Sequence, residues 1–168
     1  MDENNPTFDS LTSVINLDLS RFSGRAATPV MPRLALIDDD GIYNARSSIV
    51  AKRQQIPLST FISETQFLRS PREDFDIIII DYFLTSTTGI ELASLLKSEQ
   101  YDQPLILISG NVKPLDLIQE TGFSDWMSKE KPIEQILWRA INLYKFSRRN
   151  SELKSLIKKV ANNVKSNK

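Results

Sequence analysis

The chain contains no cysteine and no histidine. The first absence excludes a disulfide framework, a thiolate metal site and a cysteine nucleophile. The second removes imidazole acid–base chemistry and the common zinc sites. The apolar runs reach only four or five residues, far short of a membrane span. The N-terminus opens with Asp2 and Glu3 and lacks the basic-then-apolar order of a signal peptide. Formal net charge is zero, so no whole-protein field draws the chain to nucleic acid or membrane. Carboxylates, hydroxyls, lysines and a hard cation remain as the available chemistry, and the expectation is a soluble, cytoplasmic protein.

With 168 residues there is room for one ordinary domain and some length to spare. Composition separates three regions. Residues 1–32 contain Asn4, Asn5, Pro6, Gly24, Pro29 and Pro32 around a weak apolar pattern and predict a flexible N-terminal arm. Residues 33–146 alternate short apolar runs (34–37, 56–61, 75–80, 104–108 and 123–127) with helical patterns at 43–54, 64–68, 89–97, 115–120 and 133–146. The third and fourth runs are almost wholly apolar, as strands covered on both faces are. Five βα units in series imply an α/β fold, a doubly wound parallel sheet with right-handed crossovers. In such sheets the functional site lies at the carboxyl ends of the strands.

Residues 147–168 form a basic helical or coiled-coil extension in which seven lysines and arginines face the single acid Glu152. Phe146, Leu153 and Val160 recur every seven residues, as do Asn150, Ile157 and Val164. The two sets make an a/d seam suited to a homodimer. The positive charge also offers a contact to nucleic acid or an acidic membrane, but the apolar seam favours a solvated outer face on a coiled coil.

Strand one ends in Asp38-Asp39-Asp40, strand three in Asp81, strand four in Ser109-Gly110 and strand five in Ser128-Lys129. Each has a bland reading alone: helix caps for the acids, a small polar residue at a strand end, a solvated lysine. Their convergence on one edge of the sheet is harder to assign to chance.

On these residues the segment from Leu34 to about Tyr144 resembles the receiver domain of two-component response regulators, of the chemotaxis type. The acidic pair Asp38-Asp39 follows Ala35-Leu36-Ile37. Asp81 follows Ile77-Ile78-Ile79-Ile80, Gly89 stands eight residues beyond it, Ser109 closes strand four, and Lys129 lies seven residues after Gly122. The resemblance implies a flavodoxin-like (βα)5 sheet in the order 2-1-3-4-5. It implies Mg²⁺ held by Asp38, Asp39, Asp81 and the backbone carbonyl of Phe83, with Asp81 as phosphoacceptor. Lys129 would stabilise the phosphoryl oxygens, Ser109 would hydrogen-bond them, and Trp126 would turn inward as the switch aromatic. Phe83 and Asn111 occupy the positions that tune the lifetime of the phosphoryl group. The implied partners are a histidine kinase or phosphotransfer protein and a downstream protein target.

Some residues depart from the pattern. Thr85 and Glu130 stand where the family usually has proline, and the stretch between Ser109 and Gly122 is about two residues short. Lys131-Pro132 is a rival for the lysine position, but it would shift the last helix out of register. No output domain is evident, so the chain is expected to be a stand-alone regulator or a fragment ending in a coiled-coil linker. Two alternatives belong to other classes. A degenerate receiver acting only as an interaction or dimerisation module is disfavoured by the intact acidic, hydroxyl and lysine positions. A Mg²⁺-dependent phosphohydrolase is disfavoured because the residue two after Asp81 is the apolar Phe83.

Overall fold

The computed structural model describes residues 31–110 and 121–166, with the side chains of 163–166 left aside. The N-terminal arm, the helix expected at 115–120 and Asn111 therefore lie outside the described residues.

Five short strands form one parallel sheet: β1 (Leu34–Ile37), β2 (Leu58–Phe61), β3 (Ile77–Asp81), β4 (Leu105–Ser109) and β5 (Asp125–Ser128). Their order is β2-β1-β3-β4-β5, the doubly wound arrangement that the βα alternation implies. The described helices are α1 (Gly41–Arg53), α2 (Glu64–Leu68), α3 (Gly89–Ser98) and α4 (Ile133–Ser166).

The isoleucines of β3 show why this sequence needs cover on both faces. Successive strand side chains point to opposite sides. Ile78 and Ile80 enter one buried cluster with Phe61, Phe67, Phe75, Leu92 and Leu96. Ile77 and Ile79 enter the other, with Ala51 of α1 and Ile136, Leu137, Ala140 and Ile141 of α4. All five residues of β3 are buried. Burying an isoleucine stabilises the fold by roughly 1.5–3 kcal/mol, so this strand anchors both layers.

Several boundaries differ from the apolar runs. Strand β2 starts at Leu58 rather than residue 56, because the amide of Ile56 bonds back to the Ala51 carbonyl at 2.9 Å and closes the end of α1. Strand β3 starts at Ile77, since residues 72–74 form a 3₁₀ turn that brings Phe75 beneath the sheet. Helix α1 begins at Gly41, two residues early, because Asp40 caps it. Strand β5 is displaced to Asp125–Ser128 and follows Gly122, whose φ of +77° is a conformation that favours glycine.

Helix α4 does not stop at Phe146. It runs unbroken for 34 residues to Ser166, about 51 Å at the α-helical rise. Its first three turns bury Ile133, Ile136, Leu137, Ala140 and Ile141. From Lys145 to Asn162 every residue is exposed.

Gly89 opens α3 against the end of β3. A methyl group there would collide with the backbone carbonyl oxygen of Asp81 and lie 3.1 Å from its carbonyl carbon. Because backbone cannot yield as a side chain tip does, Gly89→Ala is expected to destabilise the protein by about 1–3 kcal/mol. Urea unfolding followed by circular dichroism measures this; an unchanged midpoint would contradict the close approach.

Candidate functional site

The parallel sheet brings the ends of β1, β3, β4 and β5 to one edge. β1 pairs with β3 so that Ile37 faces Ile80, which puts Asp38 and Asp81 side by side just beyond. β4 pairs with β5 so that Ser109 faces Ser128, and the Lys129 amide bonds to the Ser109 carbonyl at 2.9 Å. Register thus brings the strand ends that carry the predicted residues to one edge.

Asp38 is fully buried and Asp81 nearly so, whereas Asp39 is exposed. One carboxylate oxygen from each of Asp38, Asp39 and Asp81 lies within 4.8 Å of the others. Three hard oxygen donors so close suit a divalent cation such as Mg²⁺, which takes few protein ligands and keeps several waters. The Lys129 ammonium bridges the two buried acids, 2.7 Å from Asp38 Oδ2 and 2.9 Å from Asp81 Oδ2. Lys131, the rival, is exposed in the turn into α4, and it is Lys129 that reaches the carboxylates.

The third acid of the triplet has a different task. Asp40 Oδ1 accepts from the amides of Ile42 at 2.9 Å and Tyr43 at 3.1 Å and so caps α1. Asp38 Oδ1 accepts from the Asp40 amide at 3.0 Å. Asn44, buried one turn into α1, donates to the Asp38 carbonyl at 2.7 Å and holds the end of β1. Asp39 is oriented from the opposite loop, where Thr85 Oγ1 donates to its Oδ2 at 2.8 Å.

Burial dominates the electrostatics. It raises the pKa of Asp81 to about 6; the Lys129 hydrogen bond pulls the other way, and the neighbouring charge of Asp38 adds to the rise. Burial likewise raises Asp38, against the opposing hydrogen bonds of Lys129 and the Asp40 amide. Burial works against the Lys129 charge, but its hydrogen bonds to Asp38 and Asp81 outweigh that and raise its pKa.

The remaining expected residues lie nearby or elsewhere. Ser109 is buried at the tip of β4. Trp126 packs partly against the Phe61–Leu96 core, with its indole N–H buried and unpartnered among the described residues. The Phe83 ring is 59% exposed and meets Tyr82 edge-on at 4.7 Å, while its backbone bridges to Thr88. The seam residues Phe146, Asn150, Leu153, Ile157 and Val160 are all exposed on α4, well away from this edge in sequence, and the Val164 side chain lies outside the described residues. Sequence spacing missed Tyr43, whose ring lies beneath the Lys129 ammonium at 5.1 Å, and it missed the bond from Thr85. The placement of Tyr43 three residues after a capping aspartate was the only available signal.

Asp81 ionises near pH 6 in the fold, above the ordinary value of 3.8, so its negative charge favours the unfolded chain. That cost is absent below about pH 4, grows as pH rises through 6 and is complete above it. In metal-free buffer Asp81→Asn is therefore expected to match wild-type stability at pH 4 and to exceed it by about 1–2 kcal/mol at pH 7.5. Paired urea titrations check this, and a constant difference across pH would contradict the assignment.

No protein-family model and no curated protein matches this sequence. Solved structures do match. The Francisella response regulator 1452 receiver domain is 21% identical, covering 69% of this chain and 98% of its own, with a TM-score of 0.61. A CheY-like response regulator receiver domain protein from Methanospirillum hungatei has 13% identity, coverage of 71% and 98%, and a TM-score of 0.64. The receiver domain of DrrB, a Thermotoga maritima response regulator, in its BeF3-activated form has 22% identity, coverage of 68% and 98%, and a TM-score of 0.58. At these identities the likeness is one of fold.

Proposed function

From the response-regulator receiver fold and the acidic edge it carries, we propose that residues 33–146 are a phosphoryl-accepting receiver, with Asp81 as the acceptor. One observation carries the reading: three carboxylate oxygens within 4.8 Å of one another, with the Lys129 ammonium on the two buried acids. A lone buried acid would fit a structural role. A triad of acids with a cation at the carboxyl edge of this sheet fits a site built to neutralise a phosphoryl group.

Asp38, Asp39 and Asp81 would hold Mg²⁺, together with the Phe83 carbonyl; the ion supplies positive charge against the phosphoryl oxygens. A carboxylate oxygen of Asp81 attacks phosphorus and forms an acyl phosphate as the bond to the donor nitrogen or oxygen breaks. Lys129 turns from Asp38 and Asp81 toward the developing negative charge. Ser109, at the tip of β4, donates to the bound phosphoryl group, and Trp126 on β5 repacks in response. The orphaned indole N–H of Trp126 gives that ring a reason to have a second position. Phe83, bulky and unable to hydrogen-bond, contributes no orientation to a hydrolytic water, which gives the phosphoryl group a long lifetime; Asn111 is the polar side chain at the other tuning position.

The donor is a histidine kinase or phosphotransfer protein, and the output is a change in binding to a downstream protein. Among the described residues no helix is long and apolar enough to cross a membrane, which agrees with a cytoplasmic switch. The exposed seam of α4 supports a homodimer. Asn150, Ile157 and Val164 take the a positions, with Phe146, Leu153 and Val160 at d, a pattern that suits two parallel strands with Asn150 fixing register. The basic residues then lie mostly on the outer face, solvated or against an acidic partner such as nucleic acid. A phosphorylation-independent interaction module is the second reading, and the seam would serve it equally.

Three measurements test these readings. Acetyl phosphate with Mg²⁺ is expected to add one phosphoryl group by intact mass, lost in Asp81→Asn and in EDTA. After donor removal the adduct decays faster in Phe83→Asn than in wild type, by roughly one order of magnitude. An adduct of equal yield in Asp81→Asn would overturn the acceptor assignment. Truncation after Ser147 is expected to convert a dimer to a monomer in sedimentation; a persistent dimer would move the interface to the receiver body.

A further inference from the structure

The Lys129 ammonium has a third neighbour besides its two carboxylates. It lies over the face of Tyr43, 5.1 Å from the ring centroid, within the range of a cation–π contact. We propose that Tyr43 is a positioning residue for Lys129, its ring face retaining the ammonium at the strand edge while the carboxylate partners change. The inference rests on the reading of Lys129 as the cation that meets the phosphoryl group.

The need for such a contact follows from the competing demands on Asp38 and Asp81. Both carboxylates hold the ammonium, at 2.7 and 2.9 Å. Those same carboxylates belong to the group of oxygens suited to a cation. When a cation shares those oxygens, and before a phosphoryl group arrives to take up the ammonium, both ion pairs weaken. A lysine head on a flexible four-carbon stem then has every reason to move into solvent. The face of an aromatic ring competes for none of those oxygens, and ligation does not neutralise it.

The ring is also held in place. Its residue lies in the first turn of α1, and its amide is bonded to the Asp40 cap at 3.1 Å. The half-buried side chain packs against the cluster shared by α1 and α4. The ring and Lys129 together line an open cleft of about 630 Å³ between α1 and the turn into α4, with Arg46, Glu130 and Pro132. Tyr43 thus lies where the ammonium would otherwise have open space to enter. The last acid of the triplet acquires a role by this route: Asp40 fixes the helix start that fixes the ring.

Ordinary core packing is the competing account, and conservative variants separate the two. In the full chain, Tyr43→Phe keeps the ring face, whereas Tyr43→Leu keeps apolar bulk without it; Tyr43→Met is the second ring-free variant should leucine fit poorly. Three quantities are read: the initial rate of acyl phosphate formation from acetyl phosphate, the Mg²⁺ affinity, and the NMR shift of the Lys129 ε-methylene protons. The wild type and Tyr43→Phe are expected to share the upfield ring-current shift and the same rate to within about twofold. The ring-free variants are expected to lose the shift and to react about 3- to 10-fold more slowly, with Mg²⁺ affinity unchanged. A ring-free variant that reacts at the wild-type rate overturns the proposal. So does a Tyr43→Phe variant as slow as Tyr43→Leu, or a Lys129 shift indifferent to the ring. If the wild type accepts no phosphoryl group, the functional reading has failed, and the methylene shift still decides whether the ring holds the ammonium.

Discussion

The edge of the sheet depends on one ammonium ion. Asp38 and Asp81 are both buried, burial raises the pKa of each, and the charge of Asp38 adds to the rise of Asp81; Lys129 is the cation paired with both. Removing a partner from a buried charge usually costs several kcal/mol, because the charge left behind has lost its solvent. Here the cation is delivered by β5, the last strand to join the sheet in sequence, while the acids come from β1 and β3. The ammonium meets both acids only when four neighbouring strands are paired in the correct register. Assembly of the site and assembly of the sheet are one event.

Backbone geometry supplies the rest of the precision. Gly89 allows the start of α3 to approach the carbonyl of Asp81 more closely than any side chain permits. The amide of Gly89 bonds to the Tyr82 carbonyl at 2.8 Å, which closes the loop that carries Phe83 and Thr85. Thr85 in turn reaches Asp39. On the other side, Asn44 and Asp40 tie the end of β1 to the start of α1. Each acid is therefore held by a different local device, one by a loop hydroxyl, one by a helix amide and one by strand pairing.

These devices were unequally legible in the sequence. Strands such as 77–80 are apolar on both faces and leave no choice of partner layer, so the doubly wound sheet could be read from composition and spacing. The convergence of Asp38, Asp81, Ser109 and Lys129 follows once the strand ends are known. The ends themselves were less clear, since an apolar run continues through the turn residues that pack under the sheet, as Ile56 and Phe75 do. Contacts made by side chains across elements left no periodic trace. A threonine in a loop looks like any other until the loop folds against Asp39, and a tyrosine in the first turn of an amphipathic helix reads as core. The continuity of α4 through residue 146 was suggested by the heptad spacing, whereas the exposure of residues 145–162 is a property of the packing that spacing does not carry.

That unbroken helix has a mechanical consequence. Its first turns are packed against β3 and α1, beside the strand that carries Lys129, and nothing interrupts its hydrogen bonds before Ser166. From Tyr144 onward it is a lever arm of about 33 Å at the α-helical rise. A tilt of about 5° at the base moves the tip by about 3 Å, and a twist of the base turns the whole seam by the same angle. Adjustments of a few tenths of an ångström in the packing of Ile136, Ala140 and Ile141 are thus magnified roughly in the ratio of arm to fulcrum. A single long strut thus converts shifts of a few tenths of an ångström at its base into displacements of ångströms at its tip.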